Sequence, residues 1–417
     1  MAMATEAPKD RFRLSMLVYD TRYRAVTIQV IVLVLVLMGL SWLFNNTVQN
    51  LALKDRDFNF GFLWNRAGYD IGQALIPYTN NDPHFRALLV GLVNTLVLAF
   101  FACLGATVLG VVAGVLRLSR NWLVARLMTV YVEVFRNIPL LLWILLTYVF
   151  LTETRPQPRD FRGEDPAATM WLDGSMVVTN RATNIPGPLF ENGLGSVPAL
   201  GLNVSLNFLA ILAVVAASIW ANRIVLWRAR RIQEDTGRRP TTWWQSLLIL
   251  FGPVTALLWA LGFHLEYPEL RGFNFAGGIA LDHAFTAMFV ALSIYTGAFI
   301  AEIVRAGIQA ISRGQTEAAY ALGLRPGWTT RLIILPQALR VIIPPLISQY
   351  LNITKNTSLG IAVGYLDLRG TLGGITLNQT GRELESMLLM MAIYLTISLI
   401  ISAVINVYNS RIQLKER

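Results

Sequence analysis

The chain has 417 residues, 54% of them hydrophobic and only 14% charged, with a mean hydropathy of +0.51. That composition excludes an ordinary soluble domain and assigns most of the chain to a bilayer. The formal net charge of +10 does not point to nucleic acid, because the basic residues lie in loops between apolar runs and not in one continuous patch.

Runs of roughly 20 apolar residues are long enough to span a hydrocarbon core. About eight occur, near 25–44, 87–116, 127–152, 202–222, 243–263, 282–304, 338–356 and 387–409. An all-α polytopic membrane protein is therefore expected. The first run follows a polar stretch and is too long for the apolar part of a signal peptide, so no cleavable leader is expected. In the second, Ala102, Ala106, Gly110 and Gly114 recur every four residues, which predicts close packing against another helix, within a bundle or across a dimer. In the seventh, Pro344 and Pro345 predict a kink.

Orientation follows from the lysine and arginine bias between alternate loops. Segments 1–24, 117–126, 223–242, 305–340 and 411–417 hold 22 such residues, among them Lys9, Arg11, Arg13, Arg22 and Arg24; the intervening loops hold 11. The first set, with both termini, is expected in the cytoplasm. The external loop 153–200 carries six acids against four bases and six prolines, from Pro156 to Pro198. It reads as an insertion that is partly irregular or ordered by docking, either a partner contact or a spacer. Segment 223–242, with Arg228, Arg230, Arg231, Arg238 and Arg239, reads as a topology anchor, the alternatives being a site for anionic lipid or for an energising ATPase.

Reactive groups are sparse. Cys103 lies alone in an apolar run, which leaves no disulfide framework. His84, His264 and His283 are far apart and read as isolated polar residues at membrane interfaces, with no metal site. No nucleophile–base cluster has recognisable spacing, and no GxxxxGK[ST] phosphate loop occurs. An enzyme is not expected, and any ATP-driven work must be borrowed. Intramembrane charge is limited to Glu133, Arg136, Glu302, Arg305 and Lys355. Glu133 with Arg136, and Glu302 with Arg305, stand at i, i+3, so each pair is expected to close a salt bridge on one helix face, or to pass force near the cytoplasmic mouth. Asn352, Lys355, Asn356, Thr357 and Ser358 place donors in a row at a helix end. They suit either a solute pathway or a snorkelling helix terminus; Asn94, Thr95, Tyr295 and Thr296 are weaker pathway candidates.

The stretch from Glu302 to Pro336 turns abruptly small, polar and turn-rich. Gly314, Gln315, Glu317, Ala318 and Ala319 predict a short helix, Gly323 a left-handed stop, Pro326-Gly327 a turn, and Leu335-Pro336 a breaker. Two short pieces around a turn do not span a bilayer, and they fit a cleft on another protein.

Gly314-Gln315-Thr316-Glu317-Ala318-Ala319, with Gly323 and Leu335-Pro336, resembles the EAA signature of ABC importer permeases. Three further stretches, AEIVRAGIQAISRGQTEAAYALGL, LPQALRVIIPPLISQYLNITKNTSL and VEVFRNIPLLL, are similar to the polar amino acid subfamily, and the insertion to its larger permease subunits for general L-amino acids or glutamate, glutamine, aspartate and asparagine. The resemblance covers about 90–152 and 281–410. It implies a five-helix core split by an insertion: tail 1–24, first helix and periplasmic loop 25–86, core 87–152, insertion with two extra spans 153–280, core 281–410 with its coupling loop at about 305–336, and tail 411–417. It assigns coupling to Gly314, Gln315, Glu317, Ala318, Ala319 and Gly323. It also implies an ATPase dimer carrying ATP and Mg, a second permease subunit as a paralogue, a periplasmic amino acid binding protein, and the bacterial inner membrane, where membrane lipid is the remaining partner. The rival is an ion- or proton-coupled secondary transporter, for which more internal acids and inverted repeats are expected.

Overall fold

The computed structural model describes residues 20–53, 57–163, 165–199 and 202–412. Most of tail 1–24 and of tail 411–417 therefore lies outside the described residues. The chain divides into two compact units, 1–61 and 62–417. The first carries α1 (Thr21–Ala52), whose side chains from Val30 to Leu37 are all exposed, as a helix apolar on every side requires if lipid surrounds it.

The second unit opens with α2 (His84–Leu116), followed by α3 (Trp122–Asn137) and α4 (Leu140–Glu153). The continuous span expected at 127–152 is corrected here. Ile138, the residue before Pro139, is extended (φ −105°, ψ 134°) because the proline ring crowds the helical conformation, and α3 and α4 meet at 104°. Among the described residues seven helices are long and apolar enough to cross a membrane, or eight if this bent pair is one span.

Helices α5 (Leu206–Thr236) and α6 (Trp243–Ala260) pack on each other as a hairpin. On both sides of it in sequence the chain forms short strands, which qualifies the all-α expectation to mostly helical. Loop 153–200 pairs in part with residues near 263–282. β1 (Val177–Val178), β2 (Ala182–Ile185) and β9 (Ile279–Asp282) form an antiparallel sheet in which Ala182 faces Asp282 and Ile185 faces Ile279. β3 (Gly187–Phe190) pairs with β6 (Phe263–Glu266); β4 (Ser196–Ala199) pairs with β5 (Leu202–Ser205), and β7 (Glu269–Arg271) with β8 (Asn274–Ala276). Strands of two to four residues cannot bury a face alone, so the two loops complete one another.

From β9 the chain enters α7 (His283–Gln309), the most buried of the spans, then α8 (Arg313–Ala321) and α9 (Pro326–Thr329). A π-helical turn at Thr330–Ile334 joins α9 to α10 (Leu335–Asn356), so Leu335-Pro336 does not break the helix as expected. Pro336 has no N–H to give a carbonyl one turn back, and the wider π turn absorbs its ring. Pro344 and Pro345 likewise stay inside α10. The chain then folds through 357–380 in short pieces, including α11 (Leu368–Gly370) and α12 (Leu377–Thr380), before α13 (Glu383–Ile412).

The core lies between α2 and α7, with α4 and α10 against them. Ala102, Ala106, Gly110 and Gly114 are all buried, and their predicted close contact is with α7 of the same chain. A Cβ on Gly110 would stand 2.5 Å from Ile300 Cβ and 2.8 Å from the Gly297 carbonyl; one on Gly114 would stand 2.7 Å from the Ala301 carbonyl. Gly110→Val is therefore expected to lower stability by about 1–3 kcal/mol through overpacking, read as a lower melting temperature of the purified protein. Gly39→Ala, with nothing within 4 Å of the added carbon, is the control, and equal melting of the two variants contradicts the packing account.

Candidate functional site

Helix α8 is held to the bundle by little. Ala319 is 1% exposed, whereas Gly314, Gln315, Glu317 and Ala318 are all exposed. Gly323 ends the helix at φ +76°, a conformation a side chain strains. Its N–H donates to the Tyr320 carbonyl at 2.9 Å and the Leu324 N–H to the Ala319 carbonyl at 3.1 Å, the paired bonds of a Schellman stop. Pro326 then starts α9, so the expected turn precedes Pro326. Tyr320, Leu322, Trp328 and Leu332, which follow Glu317 in the chain, are all exposed, Leu322 at 81%. Gln337 Nε2 reaches back to Gln315 Oε1 at 3.4 Å, tying the start of α8 to α10.

The charged residues above it divide. Glu302 binds Arg305 on its own helix as expected, and also Arg117 at the end of α2, which the sequence does not reveal. Arg305 continues to Gln309 Oε1 at 2.7 Å. With Arg117 only 9% exposed, one carboxylate and two guanidinium groups join α2 to α7. The expected Glu133–Arg136 bridge is not formed among the described residues. Asn137 Nδ2 donates to the Glu133 carbonyl at 2.8 Å and lies 3.5 Å from its Oε2, while Arg136 lies 5.3 Å from the Phe299 ring centroid. A nearby aromatic face takes the cation that an i, i+3 rule gave to the acid.

Several expected pathway donors are already committed. Asn94 Nδ2 donates to the Gln73 and Leu366 carbonyls at 2.8 and 2.9 Å, and the Thr95 hydroxyl accepts from the Leu368 N–H at 3.0 Å. Thr357 donates to Asp367 Oδ2 at 3.2 Å. Asn94 and Thr95 thus hold 357–380 against α2, and Thr357 ties that segment within itself. Asp367, missed by the sequence reading, is the hub: it is fully buried and also accepts from Tyr394 at 3.2 Å and from the Gly370 N–H at 2.9 Å. It lies between the two spanning stretches Pro326–Val363 and Glu383–Val407. Burial pushes its carboxyl up to about 6, against the hydrogen bonds that favour the ion. Its signal in the sequence was an N-cap aspartate ahead of Leu368-Arg369-Gly370.

Asn352 and Lys355 remain on the exposed face of α10, and Asn356 is half-buried. Ser358 donates to the Lys355 carbonyl at 2.7 Å. Tyr295 packs on Phe299 with ring centroids 5.1 Å apart, and Thr296 is buried. His84 and His283 open α2 and α7 and are buried, bonded to the Thr376 hydroxyl at 3.0 Å and the Thr179 carbonyl at 2.8 Å. Among the described residues no group of three His, Cys, Asp or Glu side chains suits a metal ion.

Residues 239–414 match the family described as the binding-protein-dependent transport system inner membrane component. The whole chain is 66% identical to all of the glutamate/glutamine/aspartate/asparagine transport system permease protein BztB of Rhodobacter capsulatus. It is 42% identical, over 96% of this chain and 94% of that one, to the general L-amino acid transport system permease protein AapQ of Rhizobium johnstonii. The glutamate/aspartate import permease GltK of Escherichia coli O157:H7 is 31% identical over 94% of its own length but 52% of this chain.

Removing the Glu302 carboxylate leaves two guanidinium groups facing one another. Glu302→Ala is expected to cost about 1.5–3 kcal/mol, the range for charge-assisted bonds, and Glu133→Ala less than about 0.5 kcal/mol. Thermal unfolding of the purified variants measures both, and equal shifts refute the Arg117–Glu302–Arg305 cluster as a stabilising link.

Proposed function

The chain belongs to the family of binding-protein-dependent ABC permeases for amino acids, and on that premise we propose that the exposed helix α8 is the point at which a separate ATPase drives it. The protein is a mostly helical, multi-pass transport subunit of an ABC importer. Membership implies an ATP-hydrolysing subunit and a substrate-binding protein as partners. The finer assignment is a dimer of ATPase subunits binding ATP and Mg, a paralogous second permease, and a periplasmic protein that delivers polar L-amino acids. The site is the bacterial inner membrane with both termini in the cytoplasm, as the 22-to-11 bias of basic residues supports.

The observation that carries this reading is the mounting of α8. A nine-residue helix stands between two core helices, fixed at Ala319 and by Gln337, with its Glu317 and apolar side chains open. Such a surface fits a cleft lined by apolar and basic groups. Gly314, Gln315, Glu317 and Ala318 form the inserted face, Ala319 seats the helix on the bundle, and Gly323 gives the abrupt exit that lets it enter. Movement of α8 reaches α7 through Ala310–Ser312 and α10 through α9, so closure of the ATPase pair becomes a rotation of the bundle between two packed states. Glu302, with Arg117 and Arg305, passes that movement from α7 to α2.

The solute path is assigned to the exposed face of α10. A charged Lys355 and an amide at Asn352 are costly against lipid, so water or a partner subunit covers them. There they replace part of the hydration shell of a carboxylate-bearing solute, with Asn356 and Ser358 flanking. Tyr295 is kept as a weaker wall residue, and Asn94, Thr95 and Thr357 act as scaffold for the path.

In proteoliposomes holding the complete importer, Glu317→Arg or Gly323→Val is expected to cut ATP-dependent uptake below about a tenth of wild type, as loss of roughly 1.4 kcal/mol or more of docking energy would, while the permease still inserts. Uptake at the wild-type level in both variants rejects the docking role of α8. Uptake by the permease alone under an ion gradient rejects the ATP-coupled reading as a whole.

A further inference from the structure

We propose that the connector end of the α5–α6 hairpin is a binding site for the headgroup of an anionic phospholipid. The site is a groove of about 390 Å³ between the last turns of α5 and the first turns of α6. Its floor is Ala229, only 2% exposed, and its apolar lining is Val225, Ile232 and Ile249. Its polar lining is Arg228, Thr241, Thr242 and Gln245. Among the described residues no hydrogen bond or ion pair engages the Arg228 guanidinium, the Thr241 and Thr242 hydroxyls or the Gln245 amide.

Charge selects the occupant. Segment 223–242 holds six arginines against two acids, Glu234 and Asp235, and none of these acids pairs with an arginine among the described residues. Trp227, Trp243 and Trp244 are exposed around the same end, at the level where amphipathic rings meet headgroups. Arg231 lies over the Trp227 ring at 3.9 Å and is turned to that face instead of into the groove. A groove lined by both apolar side chains and unengaged donors, at the end of a hairpin of spanning helices, matches a lipid phosphate whose acyl chains run down the hairpin; a soluble anion has no use for the apolar lining. The helices bear on each other and on β4, β5 and β6, which leaves long faces for those chains. The inference is independent of how α8 works.

The test uses the purified full chain in detergent, titrated with phosphatidylglycerol and with phosphatidylcholine of the same acyl chains, bound lipid being counted by native mass spectrometry. Wild type is expected to prefer the anionic lipid. Arg228→Ala is expected to weaken that lipid about five-fold, the effect of one arginine near a charged headgroup, and Gln245→Leu to weaken it with no change in charge. Arg230→Ala removes the same charge outside the groove and is expected to change affinity less than two-fold. Equal losses from Arg228→Ala and Arg230→Ala would show diffuse attraction and overturn the site. Equal binding of the two lipids, or displacement of the lipid by free glycerol phosphate, overturns it as well.

Discussion

Close approach of α2 and α7 is the constraint on which the rest of the structure depends. In a bilayer, apolar side chains gain little by leaving lipid for one another, so association relies on fit and backbone proximity. Gly110 and Gly114 let α2 lie against the Gly297 and Ala301 carbonyls of α7 at distances that a single added carbon would violate. The Arg117–Glu302–Arg305 cluster closes the same pair at its end, where a charged link is cheaper because the Glu302 side chain is partly open. With those two helices fixed, α4 and α10 have a surface to pack on.

The same pair explains where polar groups go. Segment 357–380 has many backbone groups outside long helices, and unpaired groups among apolar helices are costly. Asn94, Thr95 and His84 on α2 meet that need from one side, and Asp367 organises it from within. On the other face the strands before α7 anchor His283 through Thr179. The added hairpin α5–α6 bears on the strands near its base, so it extends from the core without interrupting it.

Features governed by local rules were legible in the sequence. The apolar runs marked the long helices, the four-residue repeat of Ala102, Ala106, Gly110 and Gly114 marked a packed face, and Gly323 marked a left-handed stop. What escaped depended on partners distant in sequence. Nothing near Glu302 announces Arg117, and nothing in the i, i+3 spacing of Glu133 and Arg136 shows that Phe299 will take the cation. The strands were too short to show alternation, and β2 and β3 find their partners only where 182–190 meets 263–282. Pro336 misled for a different reason: its missing hydrogen bond was read as a stop, yet a π turn tolerates it. The polar row at Asn352–Ser358 split in the same way, with Thr357 drawn inward to Asp367 and Lys355 left outside.

A helix that transmits force must be stiff in itself and weakly bound to everything except its load. In the coupling role proposed for it, α8 meets both requirements through few residues. The Schellman bonds at Gly323 close its end against unwinding, while few ties, buried Ala319 and the Gln337–Gln315 bond, leave its position cheap to change. In that proposed role the bundle behind it is the opposite: α2 and α7 interlock too tightly to deform gradually, so displacement at α8 would resolve as a switch between discrete packings. For the proposed coupling, softness at the contact and rigidity behind it are complementary, and stiffening the link through Ala319 or loosening the seat at Gly110 would each weaken it.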